Sequence, residues 1–114
     1  MRVEDRIRLK HMVEAGQAAL KFVDGKKSSD LQTDQMLLFA VVRAIEVLGE
    51  AANKVSEDLQ SANQSIPWRA IVGMRNRLVH AYFDVDTEMV WKTLQNEIPG
   101  LLRTLEALIA ADQG

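Results

Sequence analysis

The amino-acid sequence predicts an all-α fold, an antiparallel bundle of four helices. Apolar residues recur three and four positions apart, as on one face of an amphipathic helix, and they do not alternate as in a strand. The 114 residues are 47% hydrophobic and contain two prolines and six glycines, so few positions interrupt the helices. Short polar breaks separate the amphipathic stretches, an arrangement typical of antiparallel helices. The length predicts a single helical domain over residues 1–114.

The first two helices are long. We expect the first over about residues 3–24, because its apolar residues fall on one stripe. Gly25 suits the position just after a helix, and the two lysines that follow it favour a helix C-terminus. A second helix is expected over about residues 31–59, where strong helix formers bear apolar residues on one side and charges on the other.

A polar loop at residues 61–65 separates the two halves of the chain. Pro67 suits the first turn of a third helix, which should continue to about residue 81. Asp86 is the expected N-cap of the fourth helix, with Glu88 favourably placed in its first turn. Pro99 is followed by Gly100 inside this last helix, so we expect it to be kinked or split there.

Composition narrows the classes of function. The chain has no cysteine, which excludes disulfides and thiolate zinc sites and fits a reducing, cytoplasmic location. The N-terminus lacks the apolar run of a signal peptide, and no segment reaches the ~20 apolar residues of a membrane span. With two histidines far apart, a standard zinc site is not expected. Glu46 and Glu50 could share a divalent cation, but Arg43 is a near neighbour of both and favours ion pairing instead.

Chemically versatile side chains concentrate between residues 75 and 82. The chain has two histidines, His11 and His80, and its single tyrosine is Tyr82. No Asp or Glu occurs from residue 59 to residue 83, although the net charge of the whole chain is −2. The arginines of this acid-free segment are Arg69, Arg75 and Arg77. The segment is therefore a candidate binding site for an anion.

These residue types suit the cleavage of RNA by its own 2′-hydroxyl. Histidine titrates near neutral pH and can move protons, whereas arginine can neutralise a phosphoryl group. Asn76 and His80 share a helix face, but Arg75 lies about 140° around an ideal helix from His80. Both can therefore serve one phosphate only if the helix ends near His80, if Arg75 reaches around, or across a symmetric partner.

A purely structural interpretation is also open. Arg75 and Arg77 would then form a solvated face, and His80 would be a cation at a helix C-terminus. Tyr82 would fill the core at the corner before the fourth helix. His11 is interpreted as a surface or interface residue.

Residues 66–83, Ile-Pro-Trp-Arg-x-Ile-x-Gly-Met-Arg-Asn-Arg-Leu-Val-His-Ala-Tyr-Phe, resemble the signature of the HEPN superfamily and specifically of HepT-type toxins. In that signature an Arg-Asn pair precedes a His, and a Tyr follows the His by two residues. Arg75, Asn76, His80 and Tyr82 stand in these places. Residues 43–51 also resemble the family, and the likeness extends over nearly the whole chain. Ala81 departs from the pattern, because many relatives have Gly there.

The resemblance implies a metal-independent endoribonuclease that needs no cofactor. It also implies a homodimer whose two motifs meet at the two-fold axis, with Arg75, Asn76 and His80 as catalytic residues. Arg69 and Arg77 are expected to bind RNA, and transfer RNA is a substrate of some members. The implied partner is a minimal nucleotidyltransferase antitoxin that attaches AMP to Tyr82. The alternative is a non-catalytic helical adaptor that presents nucleotide or substrate to such a nucleotidyltransferase.

Overall fold

Eight helical segments make up most of the part of the chain described by the computed structural model, residues 1–80 and 84–112. The segments are α1 (Val3–Phe22), α2 (Asp30–Thr33), α3 (Gln35–Asn53), α4 (Glu57–Ala62), α5 (Trp68–Val72), α6 (Met74–Leu78), α7 (Thr87–Asn96) and α8 (Ile98–Ala111). Within those residues, β pairing is limited to a single antiparallel bridge between Val79 and Val85. The predicted all-α class is confirmed, whereas the arrangement as four helices stays a prediction.

The core forms where α1 packs against α3 and α8, and α5 and α6 also pack against α3. Its largest fully buried side chains come from almost every segment: Leu9, Met12, Leu31, Val41, Ile45, Leu48, Ile71, Leu78, Val90, Leu94, Ile98 and Leu105. The first helix ends at Phe22, slightly earlier than expected, so Gly25 lies three residues beyond it; Gly25 has a positive φ of 74°. None of the described helices is both long and apolar enough to span a membrane.

The prediction of one continuous second helix over residues 31–59 is wrong. The chain forms α2, α3 and α4 there, and side-chain caps mark where the last two begin. Asp34 has extended backbone and accepts a hydrogen bond from the Leu37 amide at 3.0 Å. Ser56 likewise accepts from the Leu59 amide at 3.2 Å. Such caps satisfy amide groups at a new helix start, and they interrupt a helix even where the apolar periodicity continues.

The third helix predicted over residues 67–81 is also interrupted. Gly73 separates α5 from α6, and Pro67 occupies the N-cap position of α5 instead of its first turn. The helix ends at Leu78 because the following backbone pairs with a later segment. Asp86 donates its amide proton to the Leu78 carbonyl, and His80 donates to the Asp84 carbonyl, both at 2.8 Å. These bonds compete with helix continuation.

The predictions for the last part of the chain are confirmed. Asp86 caps α7, where its side chain accepts a hydrogen bond from the Met89 amide at 3.0 Å. The helix then splits at Glu97, and Pro99 lies in the first turn of α8. Proline is tolerated at that place because an amide of the first turn has no partner within the helix.

Candidate active site

His80 lies just beyond α6, directly after Val79, whose backbone is extended. Its side chain is exposed, and its amide donates to the Asp84 carbonyl across the short pairing that includes Val79 and Val85. The angle expected from an ideal helix between Arg75 and His80 therefore does not apply, because the helix ends two residues before His80. No hydrogen bond or ion pair joins the two side chains among the described residues.

Arg75 lies in α6 and is anchored on α3. Its Nε is 3.3 Å from Oε2 of Glu46, within ion-pair distance. The same Nε is fully buried, yet it makes no hydrogen bond to any described residue. The two facts are compatible, because the contact is close enough for charge attraction while the N–H is not aimed at the oxygen. At the other end of the guanidinium, Nη1 is 3.5 Å from Oδ1 of Asn76, a weak contact.

Glu46 contacts a second arginine. Arg43, one turn earlier on α3, forms an ion pair with Glu46 and lies 3.7 Å from a carboxylate oxygen of Glu50. The Arg43 side chain is 63% exposed and that of Glu46 is 31% exposed, so Glu46 is the more enclosed partner. The side chains of Arg43, Glu46 and Arg75 border a cavity of about 170 Å³. The cavity is lined by Phe39, Val42, Arg43, Glu46, Arg75, Val79 and Val85.

The fold places carboxylates beside the acid-free segment. Glu46 approaches Arg75 from α3, and Glu97, between α7 and α8, lies 3.5 Å from Arg77. Arg69 is exposed and forms no ion pair within the described part of the chain. The segment is therefore less positive in three dimensions than its sequence suggests, and its cations are partly neutralised by neighbouring helices.

The remaining candidate residues have simpler surroundings. Tyr82 lies outside the described residues, as do Ala81 and Phe83. His11 is exposed on α1, in agreement with its interpretation as a surface residue. Trp68 is buried and donates its indole N–H to the Asn63 carbonyl at 3.1 Å, so it is a core residue.

The carboxylates of Glu46 and Glu50 near the site form ion pairs with arginine. Arg43 contacts both Glu46 and Glu50, the pair that could have shared a divalent cation. Over residues 1–80 and 84–112, no group of three or more His, Asp or Glu side chains is arranged to hold a metal ion.

Sequence reasoning missed the contact between Glu46 and Arg75. Its local part was visible, because Arg43 and Glu46 are three residues apart and share a face of α3. The long-range part was not visible, because 29 positions separate Glu46 from Arg75 and only the packing of α3 against α6 brings them together.

The chain matches the model of the family described as "Ribonuclease HepT-like" over residues 12–108. It belongs to the ribonuclease HepT-like family. It is 42% identical over 79 residues to "Probable ribonuclease HepT" of Thermococcus cleftensis, a match that covers 69% of this chain and 72% of the relative. It is 30% identical over 105 residues to "Putative RNase TTE0752" of Caldanaerobacter subterraneus subsp. tengcongensis, covering 92% and 94% of the two chains. No solved structure matches the chain.

Family membership confirms the resemblance seen in the motif and supports a nuclease activity in general. The matched residues include α3, α6 and the segment after α6, so Glu46, Arg75 and His80 all lie within the family region.

Proposed function

We propose that this HepT-like protein is a metal-independent endoribonuclease toxin that cleaves RNA at a composite site on the two-fold axis of a homodimer. The observation that supports this most is the placement of His80. It is an exposed residue that follows the extended Val79, two residues past the helix that bears Arg75 and Asn76. An exposed imidazole at a helix end is accessible to a phosphodiester, whereas a core histidine would not be.

The proposed reaction is a transesterification. A base removes the proton of the ribose 2′-hydroxyl, whose oxygen forms a bond to the adjacent phosphorus. The bond from phosphorus to the 5′-oxygen breaks, and an acid protonates that oxygen. The products are a 2′,3′-cyclic phosphate and a 5′-hydroxyl end. Arg75 would stabilise the charge of the phosphorane, and Asn76 would orient the phosphate or the imidazole.

A homodimer explains how one motif can supply both a base and an acid. Each chain contains His80 in the motif and His11 on a separate helix, α1. A two-fold axis next to His80 would bring two copies of this imidazole to one site, one neutral and one protonated. Arg69 and Arg77 of both copies would then contact the flanking RNA phosphates, with transfer RNA as one candidate substrate.

The proposed control acts through Tyr82 and a cognate minimal nucleotidyltransferase. The tyrosine oxygen would attack the α-phosphate of ATP on that enzyme, form a bond to AMP and release pyrophosphate. The added AMP places bulk and negative charge two residues after His80. It would exclude RNA both sterically and by repulsion of its phosphates.

Incubation of the purified protein with total RNA, with and without EDTA, tests the reaction. We expect new 2′,3′-cyclic phosphate ends in both samples. His80→Ala should lower cleavage by about 10² or more, whereas His11→Ala, which removes the other exposed histidine, should leave it unchanged. Cleavage that disappears with EDTA and returns with magnesium would refute the metal-free mechanism. Wild-type protein that binds the nucleotidyltransferase without cutting RNA would indicate the adaptor alternative.

The role of Arg75 has its own matched control. Arg75→Ala and Arg103→Ala each remove one positive charge; Arg75 is half-buried, whereas Arg103 is exposed on α8. If Arg75 stabilises the phosphorane, its loss should lower the cleavage rate by about 10² to 10³, as for other lost oxyanion donors. Arg103→Ala should change the rate less than about twofold. Equal losses in the two variants would mean that Arg75 contributes only general charge.

A further inference from the structure

The guanidinium of Arg75 is held at one edge by α3. Arginine has a long, flexible side chain that loses rotamer entropy when it is ordered. α6, which bears Arg75, is only five residues long. α3, by contrast, spans 19 residues, and Ala44 and Ile45 beside Glu46 are buried in the core. Glu46 is therefore a rigidly placed carboxylate that approaches the Arg75 Nε to 3.3 Å.

The contact leaves a defined edge of Arg75 for a ligand. A guanidinium binds phosphate best through two parallel N–H donors. Nε is buried against Glu46, so the edge that includes Nε is not available to RNA. Nη1 makes only the weak 3.5 Å contact with Asn76, and Nη2 makes no hydrogen bond with the described residues. The edge formed by Nη1 and Nη2 is thus the one that can receive a phosphate.

Arg43 keeps this anchor from cancelling the charge of Arg75. A lone carboxylate beside a catalytic arginine would neutralise it and weaken its attraction for phosphate. Here Glu46 lies between two guanidinium groups, those of Arg43 and Arg75. The three side chains together carry one net positive charge. Glu50 is farther from Arg43, at 3.7 Å, and is 57% exposed, so solvent screens its effect.

In the part of the chain that the structure describes, the ion pair between Arg77 and Glu97 lacks the second cation and the buried nitrogen found at Glu46 and Arg75. Arg77 and Glu97 are 3.5 Å apart, and their side chains are 44% and 45% exposed. No second cation contacts Glu97 among the described residues. Across residues 1–80 and 84–112, Arg75 Nε is the buried side-chain nitrogen without a hydrogen bond, so this arginine is held by packing and charge together.

We infer that Glu46 is a positioning residue for the ribonuclease reaction: it fixes Arg75 through Nε so that the Nη edge faces the phosphate, with Arg43 balancing its charge. This inference rests on the proposed function. Glu46 itself does not touch RNA in this arrangement. A displacement of the guanidinium by about 1 Å is enough to lower a rate by as much as 10².

Kinetics with a short RNA that contains one mapped cleavage site provide the first test. We expect Glu46→Ala to lower kcat by about tenfold or more, with KM within about twofold, because Arg75 is present but no longer oriented. Glu46→Gln should retain activity within about fivefold of wild type, since it loses the charge attraction but keeps the side-chain shape that packs against the buried Nε. The pH profile should keep its shape in both variants.

Glu106→Gln is the matched control for the change in net charge. Glu106 lies on α8 and accepts a hydrogen bond from Gln17 at 3.3 Å, on a different pair of helices from Glu46. We expect this variant to match wild type. Equal loss in Glu46→Gln and Glu46→Ala, with one limb of the pH profile gone, would make Glu46 a proton acceptor and overturn the inference. A rise in kcat would show that Glu46 masks Arg75, which also overturns it.

A second test does not depend on cleavage. The Nε–H of Arg75 can be observed by NMR and assigned by its loss in Arg75→Lys. We expect this proton to exchange slowly with solvent in wild type, Glu46→Gln and Glu106→Gln. In Glu46→Ala it should exchange fast or have the chemical shift of a free arginine. An unchanged signal in Glu46→Ala would overturn the positioning role whether or not the protein cuts RNA. The expected signals in a wild-type protein that cuts no RNA would refute the proposed function and leave the anchor intact.

Discussion

At the scale of single residues, the end of α6 determines how Arg75 and His80 are placed relative to each other. On a longer helix, Arg75 and His80 would diverge by about 140°. The helix instead ends at Leu78, and the amide of His80 is bonded to the Asp84 carbonyl, which fixes the backbone and leaves the imidazole exposed. The same short motif therefore combines a helical arginine with a histidine that lies beyond the end of the helix.

Tyr82 is the residue at which the proposed control is tested. Co-expression with the cognate nucleotidyltransferase should yield protein heavier by one or more AMP groups, measured by intact mass spectrometry. The adduct should be absent from Tyr82→Phe, which removes only the attacking oxygen. Modified protein should cut RNA at least tenfold more slowly, because the added phosphate repels the substrate. Neutralisation of the toxin without any adduct would mean that the partner acts by masking.

At the scale of the elements, close backbone approach sets where α5 and α6 lie. A Cβ on Gly49 of α3 would be 3.1 Å from the carbonyl oxygen of Ile71 and 3.4 Å from that of Val72. These atoms belong to backbone and cannot rotate away as a side chain can. The absence of a side chain at Gly49 thus lets α3 touch the last turn of α5, directly before α6, which bears Arg75.

Gly49→Ala should therefore destabilise the protein despite the better helix propensity of alanine. Overpacking costs about 1–3 kcal/mol, against a propensity gain of about 1 kcal/mol. Gly100→Ala is the matched control, since the nearest atom to its added Cβ is Arg103 Nη2 at an ordinary 3.7 Å. Thermal unfolding should show a lower Tm for Gly49→Ala and an unchanged or higher Tm for Gly100→Ala. The reverse order would show that α5 moves away at little cost.

A buried carboxylate connects α1 to the start of α4. Asp5 is 4% exposed and accepts hydrogen bonds from the Ser56 amide at 2.8 Å and from the Ser56 hydroxyl at 2.6 Å. Asp5→Ala would leave both donors unsatisfied, which costs about 1–3 kcal/mol of unfolding free energy. Asp58→Ala nearby breaks only the exposed pair with Arg2 and should have little effect. Urea unfolding of the two variants checks this difference, and equal midpoints would contradict it.

At the scale of the whole molecule, the proposed site requires two chains. The chain has no cysteine, so a single introduced cysteine is a unique reporter. If the motifs face each other, His80→Cys should be joined into dimers by a short bis-maleimide, whereas His11→Cys on α1 should not. Light scattering of wild type should give the mass of a dimer at micromolar concentration. A monomer at that concentration would contradict the composite site.

The sequence by itself determined the fold class, the Asp86 cap and the residues of the motif, because all of these depend on local signals. Apolar spacing indicates helices, Asp86 is a capping residue directly before a helix, and Pro99 indicates the split that α7 and α8 show. The motif of Arg75, Asn76 and His80 could be read without any fold. Family membership then confirmed the resemblance that these residues carry.

The tertiary structure alone decided where the helix before His80 ends and what surrounds the motif. The end of α6 depends on competing bonds, because the pairing of Leu78 and His80 with a later segment stops the helix. The acid-free segment likewise predicted a positive surface, since sequence shows only the charges along the chain. Packing brought Glu46 and Glu97 from distant positions to its arginines, because electrostatic attraction depends on distance in space and not on separation along the chain.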